Sequence, residues 1–413
     1  MGLRFSTAGE SHGPALVAIV EGLPAGIPVT AAAVDRELGR RMQGYGRGAR
    51  MQIEQDRIEW LSGIRAGETL GSPVAMLVRN RDWDNWRDVM APEPDADAGP
   101  DAPRRRRVAR PRPGHADLVG VLKYDRLDAR DILERASARE TAARVAAGAL
   151  ARRLLDELGV EIGSHVVSLG GISGVAPSPL PSPLNTASDA SPVRCLDPVA
   201  EAAMIDAVDA AKRAGDTLGG EVEVVARGLM LGLGSHVSWD RKLDGRLAGM
   251  LMSIPAVKGV EIGLGFAAAR RPGSAVHDPI DRFEGQGPGD GRGGFRRRSN
   301  NAGGLEGGMT TGEPLVLRVA MKPISTLMTP LPTVDLRSGA PAAAQSERSD
   351  VTAVPAMGVI AEALVALVLA DAVLEKFGGD SLVETRRNVD AYLEALGGRW
   401  DALRTGPAAM AEE

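Results

Sequence analysis

Five histidines occur in this chain of 413 residues, and two of them sit where a chain can do proton chemistry. His12 lies in Gly9-Glu10-Ser11-His12-Gly13, directly after the alternating run Leu3–Thr7. Glycine lets the backbone come close to a ligand, so an imidazole in this turn can face a pocket. The plainer alternative is a turn histidine with a satisfied hydrogen bond. His115 lies in Arg110-Pro111-Arg112-Pro113-Gly114-His115-Ala116-Asp117. The prolines and glycine fix this backbone. The arginines bring positive charge, which favours a neutral ring beside it and attracts phosphate or carboxylate. A solvated basic loop is the alternative. His165, His236 and His277 carry no comparable context. There is no HExxH pair and no carboxylate cluster at metal spacing, so no metal is expected.

The cationic residues repeat the theme. Arg41, Arg47 and Arg50 surround Gly44-Tyr45-Gly46-Arg47-Gly48, which is neither GxGxxG nor a Walker motif. Their guanidinium forks can close on an oxyanion. Arg135 and Arg139 are four residues apart with Ser137 between them, on an expected helix face. A salt-bridged surface with Glu134 and Glu140 is the competing reading of that face. Lys322-Pro323-Ile324-Ser325-Thr326 follows the strand pattern Pro314–Met321 and offers a phosphate-binding turn. Arg348-Ser349-Asp350 precedes an apolar run, and beside arginines Asp350 would stand as a carboxylate able to take a proton. Together these residues point to a polyanionic ligand and to acid–base chemistry by histidine.

Elements must bring these dispersed residues together. Thr30 is placed to cap a helix over Ala31–Met42. Residues 51–79 alternate like antiparallel strands. The Ala-, Leu-, Arg- and Glu-rich run predicts one helix over Asp131–Leu158, with Gly159 at its C-cap. Residues 200–214, 241–253 and 354–377 read as helices, and Gly219–Leu231 as a strand. Strands and helices come in blocks without βαβ alternation, which favours α+β. Residues 44–50, 91–114 and 283–304 combine glycine or proline with arginine and are candidate lids. The low-complexity stretch 176–194 reads as an exposed loop insertion, and 395–413 as a flexible tail of a single domain.

Composition narrows the classes. Hydrophobic residues are 44% and charged residues 25%, as in ordinary globular proteins. Arginine plus lysine number 49 against 54 acidic residues, a net charge of −5, so the whole chain is no basic nucleic-acid binder. Aromatics are 3%, which also counts against an RNA-binding role for Arg104–Arg110. The single cysteine, Cys195, excludes an intrachain disulfide and fits a reducing cytosol. Met1–Phe5 lacks a signal-peptide core. Glu362 and Asp371 interrupt the apolar run Val354–Leu374, so a buried helix is expected there and no membrane span.

Eight segments then stand in order: GESHGPALVAIVEGLPAG, QGYGRGARM, RPGHADL, ERASARETAARVAAGA, MSIPAVKGVEIG, RSNNAGGLEGGMTTGEPL, MKPISTL and RSDVTAVPA. From about residue 3 to residue 390 the chain resembles the chorismate synthase family. The resemblance implies helices sandwiched between antiparallel sheets and a homotetramer. It implies a cytoplasmic lyase of the shikimate pathway and aromatic amino acid biosynthesis. That enzyme converts 5-enolpyruvylshikimate 3-phosphate to chorismate and phosphate, with reduced FMN and no net redox change. By the same resemblance, His12 protonates the departing phosphate, and His115 sits by the flavin and helps set its protonation state. Asp350 acts with flavin N5 in removing the proton from carbon 6, and Ser11 and Ser137 support that relay. Flavin contacts fall to Arg135, Ala136, Ser137, Pro255, Ala256, Gly307, Lys322, Pro323, Ile324, Ser325, Thr326 and Arg348. Arg41, Arg47, Arg50, Arg112 and Arg139 grip the substrate's phosphate and carboxylates.

Two departures from the family pattern stand out. Many relatives have RSSARET where this chain has Arg135-Ala136-Ser137-Ala138-Arg139, so the seryl role rests on Ser137 alone. Many have Asn where Pro255 stands, which leaves a backbone or apolar contact there. A built-in NAD(P)H:flavin reductase is the rival enzyme reading. No dinucleotide fingerprint supports it. The expectation is a monofunctional enzyme supplied by an external flavin reductase, with NADPH used only indirectly.

Overall fold

The computed structural model describes residues 2–48, 56–93, 106–282, 293–346 and 349–405, with side chains as far as residue 396. Period-two alternation builds its sheets. Strand β1 (Arg4–Ala8) pairs antiparallel with β2 (Ala15–Glu21), in register from Arg4↔Glu21 to Ala8↔Val17. With β3 (Ile58–Ser62) and β4 (Val74–Arg79) they form a sheet in the order β1-β2-β4-β3. Leu16, Ala18 and Val20 of β2 and Val74, Met76 and Val78 of β4 are buried, while their neighbours are more exposed. A second antiparallel sheet contains β5 (Glu161–Leu169), β6 (Ile172–Ser173), β7 (Gly220–Arg227), β8 (Val257–Ile262) and β9 (Leu315–Met321). Its order is β8-β9-β7-β5-β6.

Helices fill the space between the sheets. Helix α1 spans Ala31–Met42, and Thr30 accepts from the Ala33 N–H at its start. Losing such a cap costs about 1 kcal/mol. Helices α2 (Asp117–Lys123) and α3 (Arg130–Ala136) lead into α4 (Thr141–Asp156). Helix α5 (Pro198–Ala214) starts on Asp197, which accepts from Val199 and Ala200, and ends at Gly215 with φ +71°. Helices α6 (Leu243–Met252), α7 (Val354–Phe377) and α8 (Leu382–Thr405) follow. Helix α4 packs on β2, α7 packs on β5 and β7, and the two helices pack on each other. A Cβ at Gly148 would lie 2.4 Å from the Ala363 carbonyl oxygen, so glycine permits that close crossing. The result is the expected α+β sandwich of helices between antiparallel sheets.

Helix α7 is long and apolar enough to cross a membrane, yet it lies buried at the centre of the fold. Glu362 stands halfway along it and is completely buried. Its carboxylate accepts from Arg40, Arg152, Arg194, Ser164 and Asn185 at 2.6–3.0 Å. Burial would raise this carboxyl, but three guanidinium groups hold it far below the carboxylate range.

Several sequence expectations change. The single helix over 131–158 is two helices, because Ser137 is extended (φ −66°, ψ 142°) and caps the next turn by accepting from Arg139 N–H at 3.3 Å. Serine favours such a cap over a helix interior. The stretch 176–194 is not simply exposed. Leu184–Ser188 forms a helical turn, Leu184 and Val193 are buried, and Asn185 and Arg194 reach Glu362. Within the expected tail 395–413, α8 continues to Thr405, and 406–413 lie outside the described residues. Of the candidate lids, residues 49–50, 94–105 and 283–292 lie outside the described residues. Phe295–Arg297 pairs with Ile280–Arg282 as a hairpin.

Candidate active site

Eight segments converge on a cleft of about 930 Å³. They are the β1–β2 turn, the loop after α1, the approach to α2, the break between α3 and α4, the end of α5, residues 254–256 after α6, the end of β9, and residues 349–360 at the start of α7. Each arrives by a local cause. The β1–β2 turn begins at Gly9, where φ is +107° and a Cβ would lie 2.4 Å from the Ala15 carbonyl oxygen. It is tied to α3 by Ser11 N–H to Glu134 O (2.9 Å), and to β4's end by Asn80, which donates to Gly13 O (2.9 Å). Gly114 has φ +77°, and Lys322 Nζ donates to its carbonyl at 2.6 Å.

His12 is buried against Glu134 and Trp86. Its Nδ1 lies 3.0 and 2.9 Å from the two Glu134 oxygens, and its backbone N–H donates to Oε2 at 2.9 Å. Trp86 stacks on the ring at 3.7 Å with 25° between planes. Burial would raise the Glu134 carboxyl, but the hydrogen bonds and charge of His12, with Arg130, lower it.

His115 has its own carboxylate. Nδ1 lies 2.6 Å from Asp117 Oδ1, and Arg112 Nε donates to Oδ2 at 2.9 Å. Arg112 Nη1 also donates to Thr326 Oγ1 at 2.9 Å, which joins the α2 approach to the β9 end. Burial pushes Asp117 up, but the bonds from His115 and Arg112 win and hold it well below the usual range. Arg112 is therefore buried and paired, while Arg110 of the same segment stays exposed. Asp117 Oδ1 faces both the ring and Arg112 Nη2. Lys322 is pushed down by burial and by Lys258.

Asp56 and Asp350 each pair with arginines of the cleft. Asp56 sits between Arg41 (3.5 Å) and Arg139, and Arg41 also donates to Thr141 Oγ1 and Ala138 O. Asp350 accepts from Arg47 Nη1 at 2.9 Å and from Gly48 N–H at 2.6 Å. Ser137 Oγ donates to Ser11 Oγ at 3.1 Å.

The cleft lining thus unites Ser11, His12, Arg41, Arg47, Arg112, His115, Ala136, Ser137, Arg139, Pro255, Ala256, Lys322, Ile324, Ser325, Thr326 and Asp350. Three candidates are not in that lining. Arg135 turns toward β1 and donates to Thr7 and Gly9 carbonyls, because the break at Ser137 separates it from Arg139. The shared helix face expected for the two arginines does not exist. Gly307 lies in the Leu305–Thr310 hairpin beside His236. Pro323 is the third. Arg50 and Arg348 lie outside the described residues. The sequence reading did not pick out Glu134, Trp86, Asp117 or Asp56 as site residues. The i, i+4 spacing of Arg130 and Glu134, and of Asp117 two residues after His115, were the available signals.

A chorismate synthase family model matches residues 3–374. Chorismate synthases of Acidothermus cellulolyticus and Thermobifida fusca are 58% and 59% identical over 397 residues, covering 95% of this chain and 99% of each relative. That of Symbiobacterium thermophilum is 59% identical over 399 residues, with 96% and 100% covered. A crystal structure of a chorismate synthase superposes with a TM-score of 0.76 at 42% identity, covering 96% of this chain and 99% of the other.

Proposed function

The chain belongs to the chorismate synthase family, and from that premise we propose that it eliminates phosphate from 5-enolpyruvylshikimate 3-phosphate to give chorismate. The observation that carries this reading is the meeting of both histidines, Asp350 and four arginines in one cleft. The substrate has a phosphate and two carboxylates, and the net-acidic chain gathers Arg41, Arg47, Arg112 and Arg139 where such charge would lie.

The cleft also suits reduced FMN. Its volume of about 930 Å³ is at the large end of ligand sites. Ile254, Pro255, Ala256, Met321, Met357 and Ile360 offer apolar lining for a flat ring, and Lys322, Ser325 and Thr326 offer donors to its phosphate. When bound, reduced FMN would lend electron density that helps expel phosphate, with no net redox change. His12 would give a proton to the departing phosphate. Asp350, oriented by Arg47 and Gly48, would receive the proton lost from carbon 6. His115, held by Asp117, would stand by the cofactor ring, and Ser11 and Ser137 would support proton movement. Arg112 would bind anion and brace Thr326 at once.

The same reading makes the protein a cytoplasmic, monofunctional homotetramer that receives reduced flavin from a separate reductase. Anaerobic mixing of protein, dithionite-reduced FMN and the substrate tests it by chorismate's ultraviolet absorbance. Chorismate is expected there, and none when NADPH and oxidised FMN replace dithionite. No chorismate in either arm contradicts the activity, and chorismate in both contradicts monofunctionality.

A further inference from the structure

His12 is held more tightly than a proton donor alone requires. Glu134 meets both the Nδ1 and the backbone N–H of His12 at 2.9–3.0 Å. Arg130 Nη1 donates to Glu134 Oε1 at 2.8 Å and fixes the carboxylate in turn. An ionised carboxylate only accepts hydrogen bonds. Nδ1 therefore carries a proton in either state of the ring, and Nε2 is the nitrogen at which a proton is gained or lost. Trp86 covers a ring face at 3.7 Å. Its indole is pinned by Nε1–H to Asp82 Oδ2 at 2.9 Å. The guanidinium carbons of Arg106 and Arg130 lie 4.5 and 5.2 Å from its ring. Among the described residues, the charged groups around the imidazole include Glu134 and Arg130 on α3, with Arg106 and Asp82 around the indole.

Resting on the reading of His12 as proton donor, we infer that Glu134 and Trp86 are positioning residues for it. The carboxylate fixes the Nδ1–H tautomer and supports the imidazolium. The indole fixes the ring plane and keeps water from its face. Nε2 alone then delivers the proton to a phosphate leaving group.

Turnover of the full-length enzyme with reduced FMN tests this in Glu134→Gln, Glu134→Asp, Trp86→Phe, Trp86→Leu and His12→Ala. Glu134→Gln keeps an acceptor but loses the charge, so kcat should fall about 100-fold with KM little changed. The alkaline limb of its kcat profile should move to lower pH, because the opposing charge is gone. Glu134→Asp should recover part of the rate, and Trp86→Phe should exceed Trp86→Leu. Nitrogen NMR of labelled imidazoles, with the His12 signal assigned by its loss in His12→Ala, should show a changed tautomer balance in Glu134→Gln. Wild-type kcat in Glu134→Gln, or a lower kcat with the pH limb and His12 signals unmoved, overturns the inference while leaving His12 as donor. Wild-type turnover in His12→Ala overturns the underlying reading and the inference with it.

Discussion

Asp117 receives the His115 ring at 2.6 Å from the first turn of α2, and the same carboxylate receives Arg112. Each cleft histidine thus has a buried carboxylate behind it, Glu134 for His12 and Asp117 for His115. The folded Asp117 carboxyl is held below its unfolded value of about 4. Its contribution is therefore full above that unfolded pKa and is lost as pH falls through the folded pKa. Thermal melts should show wild-type stability declining below about pH 4. Asp117→Asn should be destabilised near neutrality by about 3–5 kcal/mol and lose less on acidification. An identical acid limb in both proteins would contradict this.

Asp350 accepts from Arg47 and Gly48 within the cleft. Asp350→Ala should lower turnover by about 10²–10⁴ while leaving binding of oxidised FMN with substrate intact, as read by flavin fluorescence. Loss of flavin binding instead would mark Asp350 as structural.

His12→Ala and His115→Ala should each lower kcat by about 10²–10⁴ in a folded protein. Circular dichroism checks the fold, and chorismate formation checks the rate. Wild-type turnover by either variant would remove that histidine from the mechanism.

Gly148 holds α4 against Ala363 of α7, with 2.4 Å between a built Cβ and the Ala363 oxygen. Gly148→Ala should force the helices apart and cost about 1–3 kcal/mol. A melting temperature equal to wild type would contradict so close a crossing.

Much of this fold is legible in local signals. Thr30 and Met42 bound α1, and Val354–Phe377 shows as an apolar run with a buried acid in its middle. The break at Ser137 is not legible that way. Strong helix formers on both sides outweigh one serine in a summed propensity, and only the cap geometry reveals it. At the site, the glycine-flanked histidines and the arginines are visible because their residue types declare their chemistry. Glu134 is not, since a Glu near Arg on a helix reads equally as a surface pair. Its burial comes from the β1–β2 turn lying on α3, a contact 122 residues apart in sequence. Trp86 and Asp56 are equally non-local. The low-complexity stretch hides Asn185 and Arg194 because their role depends on Glu362, far along the chain.

The most direct measurement is an anaerobic single-turnover reaction with prereduced FMN, following chorismate, inorganic phosphate and the flavin spectrum together. The proposed elimination predicts equal amounts of chorismate and phosphate, with the flavin fully reduced at the end. Flavin left oxidised in proportion to product, or phosphate released without chorismate, would contradict it.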